Sequence, residues 1–417
     1  MKVLHIGYSD KLGGAAIAMM RLHSSLRSIG LDSNVLVGEK LTEDKYVIGP
    51  KTYREKLFNE FKIKIARQKK YFYGHNGKYS HSLNLLGGNL LSKINNINPD
   101  IINLHWINNE LISIKEISKL KIPIVWTFND MWPMCGGEHY SEDDRNKLGY
   151  DKVQKRPDEK GLDINKFIWK QKKKYWKINI KHIVCISNWL KIKAKNSDLF
   201  KENLISFVPC ALNTQDWTPV NKNVARERLN LPKNKLILLF MSTNGDNDLR
   251  KGYKYINSFF ENFLEFKKKV VLLKIGKNFK NENQNQNQSE YVININKSFN
   301  GDPKILKLYY SASDILLAPS VLEAFGQVAI EAGSCGVPTI GFKNTGLEDT
   351  IQHEKTGYIC EHLSQNDFNI GLQWMIKKIE KDSKYFDSSC INFVKNNFSS
   401  EIIAQKYKKI YESILLK

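Results

Sequence analysis

Short apolar runs alternate with stretches of helical periodicity along nearly the whole chain, the pattern of parallel strands joined by crossover helices. A first series of strands is predicted at Val3–Gly7, Asn34–Val37, Ile101–His105, Ile124–Phe128 and Ile183–Ile186. A second runs through Leu236–Met241, Val270–Ile275, Tyr291–Ile295, Ile315–Ala318, Thr339–Phe342 and Gly357–Cys360. The 417 residues suffice for two domains. Two doubly wound α/β sheets facing across a cleft are therefore expected, with ligand sites at the carboxyl ends of strands. Residues 1–210 form the first domain and 211–399 the second in this reading, joined by the stretch from Val208 to Pro219. Residues 40–95 break the rhythm and are expected to be an insertion or a mobile, partly helical region; the polar tract 281–288 is expected in a surface loop.

Residues 320–339 carry the strongest functional signal. Glu323 and Glu331 are eight residues apart, and Phe325-Gly326 falls where the run from Ile315 to Pro319 should turn into a helix. Unpaired N–H groups at a helix start attract anions, and Gly326 has no side chain to obstruct them. Eight helical residues rise roughly 12 Å and turn about 80° past whole turns. One carboxylate is thus expected at the mouth and the other further along the same broad face, with hydroxyls held on both sides of a diphosphate. The alternative is an amphipathic helix whose two Glu residues face water.

Gly13-Gly14 follows the first strand and opens a helix over Ala15–Ile29, so backbone there can approach a ligand closely, although the spacing from Gly7 is not the dinucleotide fingerprint. Arg250-Lys251-Gly252 ends a polar loop after a strand. Adjacent cations there suit a departing pyrophosphate, and equally make a common surface pair. His105 closes its strand, and Asp130 and His139 flank a loop where Asp130 is also able to cap a turn. Cys135, Glu138 and His139 fit no ordinary metal-ligand spacing, and no metal is expected.

No run approaches the roughly 20 apolar residues of a membrane span. The amino terminus enters a strand without a signal-peptide pattern, so a cytoplasmic protein is expected. Six scattered Cys without a Cys-x-x-Cys pair are read as buried thiols. The net charge of +21 is partly local: residues 51–75 carry eight basic and two acidic side chains, and residues 165–195 carry ten Lys and no acid. Interleaved aromatics, Phe58, Phe61, Tyr71, Phe72 and Tyr73 in the first and Phe167, Trp169, Tyr175 and Trp176 in the second, suit an anionic membrane surface. Solvated helix faces explain the same pattern. Nucleic acid has no module signature to support it, and none is expected as a partner.

The Glu-Ala-Phe-Gly segment, the second Glu-Ala and the trailing Gly-Val-Pro-Thr resemble the donor site of retaining glycosyltransferases of the GT-B fold, most strongly over residues 234–360. The resemblance implies that Glu323 contacts the transferred sugar, that backbone at Phe325 and Gly326 holds the phosphates, and that Glu331 binds ribose hydroxyls. It implies that Gly13 and Gly14 lie under the donor diphosphate, that His105 lies near the sugar, and that Lys251-Gly252 is the family's Lys-Gly. Many members carry an Arg about six residues before that Lys, where this chain has Gly245; Arg250 is the candidate replacement. Catalytic roles fall on His105, Glu323 and Lys251, donor contacts extend to Arg250, and Asp130 and His139 are candidates for acceptor contact. The segment 400–417 is expected to return to the first domain. The implied reaction is metal-independent transfer from a UDP-sugar, in preference to a GDP-sugar, to a lipid-linked glycan of a bacterial O-antigen or capsule at the inner face of the membrane. A nucleotide-sugar 2-epimerase of the same fold and a non-catalytic sugar-nucleotide-binding protein are the alternatives.

Overall fold

The computed structural model describes residues 1–72 (69–72 by backbone alone), 80–88, 90–157, 159, 161–176, 180–279, 291–297, 299 and 301–416. Tyr73 and the tract 281–288 lie outside the described residues. The chain divides into two compact units, Met1–Ala211 with Ile403–Lys417, and Leu212–Ile402.

The first unit holds a wholly parallel sheet of β1 (Lys2–Ser9), β2 (Asp32–Glu39), β3 (Val47–Ile48), β4 (Ile101–Leu104), β5 (Ile124–Phe128), β6 (Ile180–Cys185) and β7 (Ile205–Phe207), in the order β3-β2-β1-β4-β5-β6-β7. The second holds β8 (Leu236–Ser242), β9 (Val270–Gly276), β10 (Val292–Ile295), β11 (Ile315–Ala318), β12 (Thr339–Phe342) and β13 (Gly357–Cys360), also parallel, in the order β10-β9-β8-β11-β12-β13. Central strands such as β5 and β9 are buried throughout, as strands covered by helices on both faces must be. Each sheet grows outward from its first strand and then crosses back to that strand's other side. Ligand crevices form at such a reversal, outside the carboxyl ends, here between β1 and β4 and between β8 and β11.

The helices that matter below are α1 (Gly14–Ser28), α2 (Tyr53–Phe72), α3 (Ile164–Tyr175), α4 (Tyr253–Asn262), α5 (Pro303–Ala312), α6 (Gln327–Ser334) and α7 (Ser400–Leu415). Met19 of α1 packs with Val35, Val37 and Val47, so β3 joins the core from inside the 40–95 region. At the other end of the chain, Ile403, Ala404, Tyr407 and Tyr411 form the buried face of α7, the three- and four-residue spacing of one helical stripe. Asn103 Nδ2 donates to the Tyr411 hydroxyl at 2.7 Å, and the Tyr407 and Thr127 hydroxyls lie 3.1 Å apart. These bonds tie the carboxyl-terminal helix to β4 and β5.

The two basic segments differ. On α2, Tyr53, Leu57, Phe58 and Phe61 are exposed, whereas Lys62 is buried with its ammonium donating to the Glu110 carbonyl at 3.0 Å. In the second segment the expected surface aromatics Trp169 and Trp176 are core side chains. The Trp176 indole donates to the Ile114 carbonyl at 3.1 Å and packs edge-on against Trp126 and Trp132. Lys172, fully buried, donates to the carbonyls of Trp132, Cys135 and Gly136. Burial lowers its pKa to about 7. Its apolar stem and neighbours occupy the helix face toward the core, so only part of this Lys-rich run is a solvated surface.

Candidate functional site

In the second unit, the loop leaving β8 folds back onto the end of β11. Ser242 Oγ donates to the Gly245 carbonyl at 2.9 Å, and Gly245 is buried with φ +59°. Residues Leu249–Lys251 make one tight turn that ends at Gly252, whose φ of +71° is left-handed. A Cβ on Gly252 would lie 1.8 Å from the Pro319 carbonyl oxygen, so backbone meets backbone where any side chain would intrude. The Val321 N–H donates to the Arg250 carbonyl at 2.9 Å and completes the junction.

This junction delivers two cations to one carboxylate. Lys251 Nζ donates to Glu323 Oε2 at 2.7 Å, and Arg250 Nη1 lies 3.5 Å from the same oxygen while donating to the Leu322 carbonyl at 3.0 Å. Burial pushes the Glu323 acid upward, but the Lys251 and Arg250 charges, the Lys251 hydrogen bond and the Ala324 N–H outweigh it and hold the pKa at about 2. Glu323 is an anion at every physiological pH. It lines a small pocket with Lys251, Ser320, Val328 and Leu347.

Glu323 lies ahead of the helix, at its mouth, so the helical rise expected between it and Glu331 does not apply. The chain from Pro319 to Gly326 is a turn, and α6 begins only at Gln327. The eight-residue spacing to Glu331 therefore does not measure a helical rise. What sets Glu323 is the loop. The Gly346 N–H donates to the Glu323 carbonyl at 2.7 Å, and Gly346 lies so close to Ala324 that a Cβ would be 2.3 Å from its carbonyl oxygen. Gly326, at φ +92°, is the left-handed cap of α6 and, as a glycine, places no side chain at the helix start, a position that suits an anion. Phe325 is buried against Phe398, so its contribution at this point is backbone. Glu331, buried on α6, accepts a hydrogen bond from the Tyr310 hydroxyl of α5 at 2.8 Å.

The first unit gathers the other sequence candidates at the carboxyl ends of its strands. Gly13 caps α1 at φ +88° without a side-chain bond, and a Cβ there would meet nothing within 4 Å, so its conformation rather than its packing calls for glycine; Gly14 opens the helix. His105, at the end of β4, has its Nε2 2.9 Å from His5 Nδ1. Asp130 and His139 form one buried network: His139 Nδ1 is 2.6 Å from Asp130 Oδ2, His139 Nε2 is 2.8 Å from Ser82 Oγ, and the Trp106 indole donates to Asp130 Oδ2 at 2.9 Å. Asp130 also caps a turn, its Oδ1 accepting from the Trp132 N–H at 2.9 Å. Glu138 takes the Tyr150 hydroxyl, while His139 turns to Asp130 and Ser82. Among the described residues no group of three His, Cys, Asp or Glu side chains is arranged around a metal, and no helix is long and apolar enough to cross a membrane. All six Cys are free and buried.

His5, Trp106, Tyr310 and Gly346 were not singled out in the sequence. His5 alone left a signal there, as an ionisable side chain inside the apolar run of β1.

Comparison with known proteins matches the second unit to a family. Residues 221–388 match the family described as glycosyl transferases group 1. The N-acetyl-alpha-D-glucosaminyl L-malate synthase of Bacillus anthracis is 35% identical over 25% of this chain and 27% of its own length. The capsular polysaccharide biosynthesis glycosyltransferase CapM of Staphylococcus aureus is 28% identical over 56% of this chain and 62% of its own. The chain thus spans less than two thirds of either relative. Among solved structures, a sucrose-phosphate synthase of Thermosynechococcus elongatus superposes over 100% of both chains with a TM-score of 0.67 at 18% identity. The Anabaena protein HepE, solved in complex with UDP and glucose, superposes over 99% of this chain and 100% of its own with a TM-score of 0.63 at 12% identity. Two parallel sheets reversing at β1/β4 and β8/β11 are the α/β architecture of the GT-B fold, and residues 221–388 within it are a glycosyl transferases group 1 domain.

Proposed function

We propose that this chain is a retaining glycosyltransferase that moves a sugar from a nucleoside diphosphate sugar, UDP in preference to GDP, to a lipid-linked glycan of a bacterial surface polysaccharide. The observation that carries the reading is the pairing of Lys251 and Arg250 with Glu323 beside the glycine-capped start of α6. A departing diphosphate gains negative charge, and two fixed cations with a helix start stabilise that charge without a metal. Glu323 contacts the transferred sugar, N–H groups at Phe325 and Gly326 hold the phosphates, and Glu331 accepts the ribose hydroxyls in place of Tyr310. Gly13 and Gly14 accommodate the diphosphate, His105 the sugar, and the Asp130–His139 pair the acceptor. The bond from sugar to phosphate breaks as the acceptor oxygen bonds on the same face, and the acceptor proton passes to the leaving phosphate oxygen. The capsular relative and the UDP complex of HepE support the donor and product classes.

An anionic membrane surface is the second partner in this reading, met by α2 with its exposed Tyr53, Leu57, Phe58 and Phe61 among Lys and Arg. Incubation with UDP-, GDP- and ADP-sugars and a lipid-linked acceptor, watching for nucleoside diphosphate and anomeric configuration, tests the transfer. Inverted product overturns retention; an epimerised nucleotide sugar without transfer replaces the transferase with an epimerase, and binding without turnover replaces it with a sensor. Equal co-sedimentation with neutral and anionic vesicles overturns the membrane part alone.

A further inference from the structure

At the reversal of the first sheet, where β1 and β4 run side by side, each strand end leaves one side chain half-exposed. From Val3 to Asp10 that residue is Tyr8, and from Ile101 to Asn108 it is Trp106; every other residue of the two runs is buried. The ladder sets the pair together, with the Tyr8 N–H donating to the Trp106 carbonyl at 2.9 Å. Their rings stand 6.3 Å apart at 78°, the two walls of an aromatic corner. The corner lies at the carboxyl ends of the strands, where doubly wound sheets bind ligands.

The Trp106 ring is held in place before any ligand arrives. Its indole N–H donates to Asp130 Oδ2 at 2.9 Å, and His139 stacks on it at 5.4 Å and 29°. With that N–H taken, the half-exposed indole offers a ligand only carbon and π-density, which attracts polarised C–H groups. Tyr8 supplies a polar group beside it. Burial and the Glu39 charge raise the Tyr8 pKa to about 12, so the hydroxyl keeps its proton throughout the physiological range. Two carboxylates, Glu39 and Glu60, and one guanidinium, Arg67, act on that hydroxyl. Their net negative charge opposes a phosphate and suits a neutral ligand whose hydroxyls donate to carboxylates. A nucleotide stacks on indole as well, but brings the phosphates this rim opposes. A pyranose has C–H groups on its ring face and hydroxyls around its edge. We infer that Tyr8 and Trp106 form a pyranose subsite, in which one sugar ring of the acceptor glycan lies against the Trp106 indole with a hydroxyl hydrogen-bonded to Tyr8. Assigning that ring to the acceptor rests on the glycosyl-transfer reading; the seating of a pyranose on Trp106 does not.

Nitrogen–proton spectra of the intact chain with 15N-labelled tryptophan, titrated with the methyl glycosides of glucose, galactose, mannose and N-acetylglucosamine, follow the Trp106 indole N–H, assigned through its contacts with Tyr8 and His139. A saturable shift of that signal by at least one glycoside is expected. No such shift from any of the four, or shifts at other tryptophans alone, overturns the subsite. Trp106→Phe keeps an aromatic ring and Trp106→Leu keeps apolar bulk without one, while both lose the N–H to Asp130. In transfer to the accepted glycan, Trp106→Leu is expected to raise the acceptor KM about tenfold with nucleoside diphosphate affinity unchanged, and Trp106→Phe to recover most of the loss. Equal effects in the two variants make Trp106 a packing residue over His139 and overturn its role toward the sugar. If Trp106→Leu does not fold, the parental titration decides. If the parent releases no nucleoside diphosphate from any sugar donor, the transfer reading fails, and the glycoside shift at Trp106 is still read from the same spectra.

Discussion

Replacing Glu323 by Gln keeps the shape of the protonated acid and removes the charge on which Lys251 and Arg250 converge. The Glu323 pKa falls from 4.5 to about 2 on folding. At about 1.36 kcal/mol per pH unit, that drop is worth about 3 kcal/mol of stability at neutral pH. A depressed carboxylate stabilises fully above its unfolded value and loses the contribution as pH falls through its folded value. The deficit of Glu323→Gln relative to the parent is therefore expected to hold near 3 kcal/mol above about pH 5.5 and to shrink to about 1.4 kcal/mol near pH 3. Urea unfolding of the whole chain across this range measures the difference directly, and the parent's own acid lability at other carboxylates cancels between the two curves. A deficit below about 1 kcal/mol at pH 7, or one that does not change between pH 7 and pH 3, refutes the argument that the two cations hold Glu323 ionised.

The cations themselves are separable: Lys251→Ala is expected to stay folded, with Arg250 still facing Glu323, and to slow turnover at saturating donor at least about tenfold; a rate within about twofold of the parent removes Lys251 from leaving-group stabilisation. Gly252→Ala adds to the left-handed strain of about 1–2 kcal/mol a Cβ 1.8 Å from a backbone oxygen, so its loss in denaturant unfolding is expected to be well above about 2 kcal/mol. Glu331→Ala is expected to weaken nucleoside diphosphate binding at least about tenfold by calorimetry, since each hydrogen bond to a carboxylate is worth roughly 1.5 to 3 kcal/mol. EDTA is expected to leave turnover intact, and a strict divalent-cation requirement overturns the metal-independent assignment.

The central strands were legible because strands enclosed on both faces are continuous apolar runs, as in Val270–Gly276 or Ile315–Ala318. The strands missed, β3 and β7, are the two edges of the first sheet; with two and three residues they are too short to show a period. Glu323, Phe325, Gly326 and Glu331 stand out by motif, but their geometry does not. The left-handed Gly326 and the close Gly346 contact, which shape the loop ahead of α6, leave no mark in the motif itself. The partners of the site residues were out of reach for another reason. His5 with His105, Ser82 with His139 and Lys251 with Glu323 are joined across 100, 57 and 72 residues, and parallel β–α packing brings them together by crossovers that leave no local trace.

The departure at Gly245 has a physical explanation in the same loop. Its φ of +59° is strained for any side chain, and a Cβ would stand 2.4 Å from the Lys277 carbonyl oxygen and 2.7 Å from the Asn278 carbonyl carbon. An Arg at this position requires the β8 and β9 exits to separate. Here they close on each other instead, with the Lys277 N–H donating to the Thr243 carbonyl at 3.3 Å and Lys274 of β9, wholly buried, set 3.6 Å from Asp246. The guanidinium comes from the far side of the loop. Arg250 is oriented by the Leu322 carbonyl and by Asp248 at 3.4 Å before any ligand arrives, and it reaches the same Glu323 oxygen as Lys251. A tightly closed strand exit and a cation supplied from residue 250 are thus two parts of one arrangement: the loop that excludes a side chain at 245 is the loop whose closing turn presents Arg250 and Lys251 together.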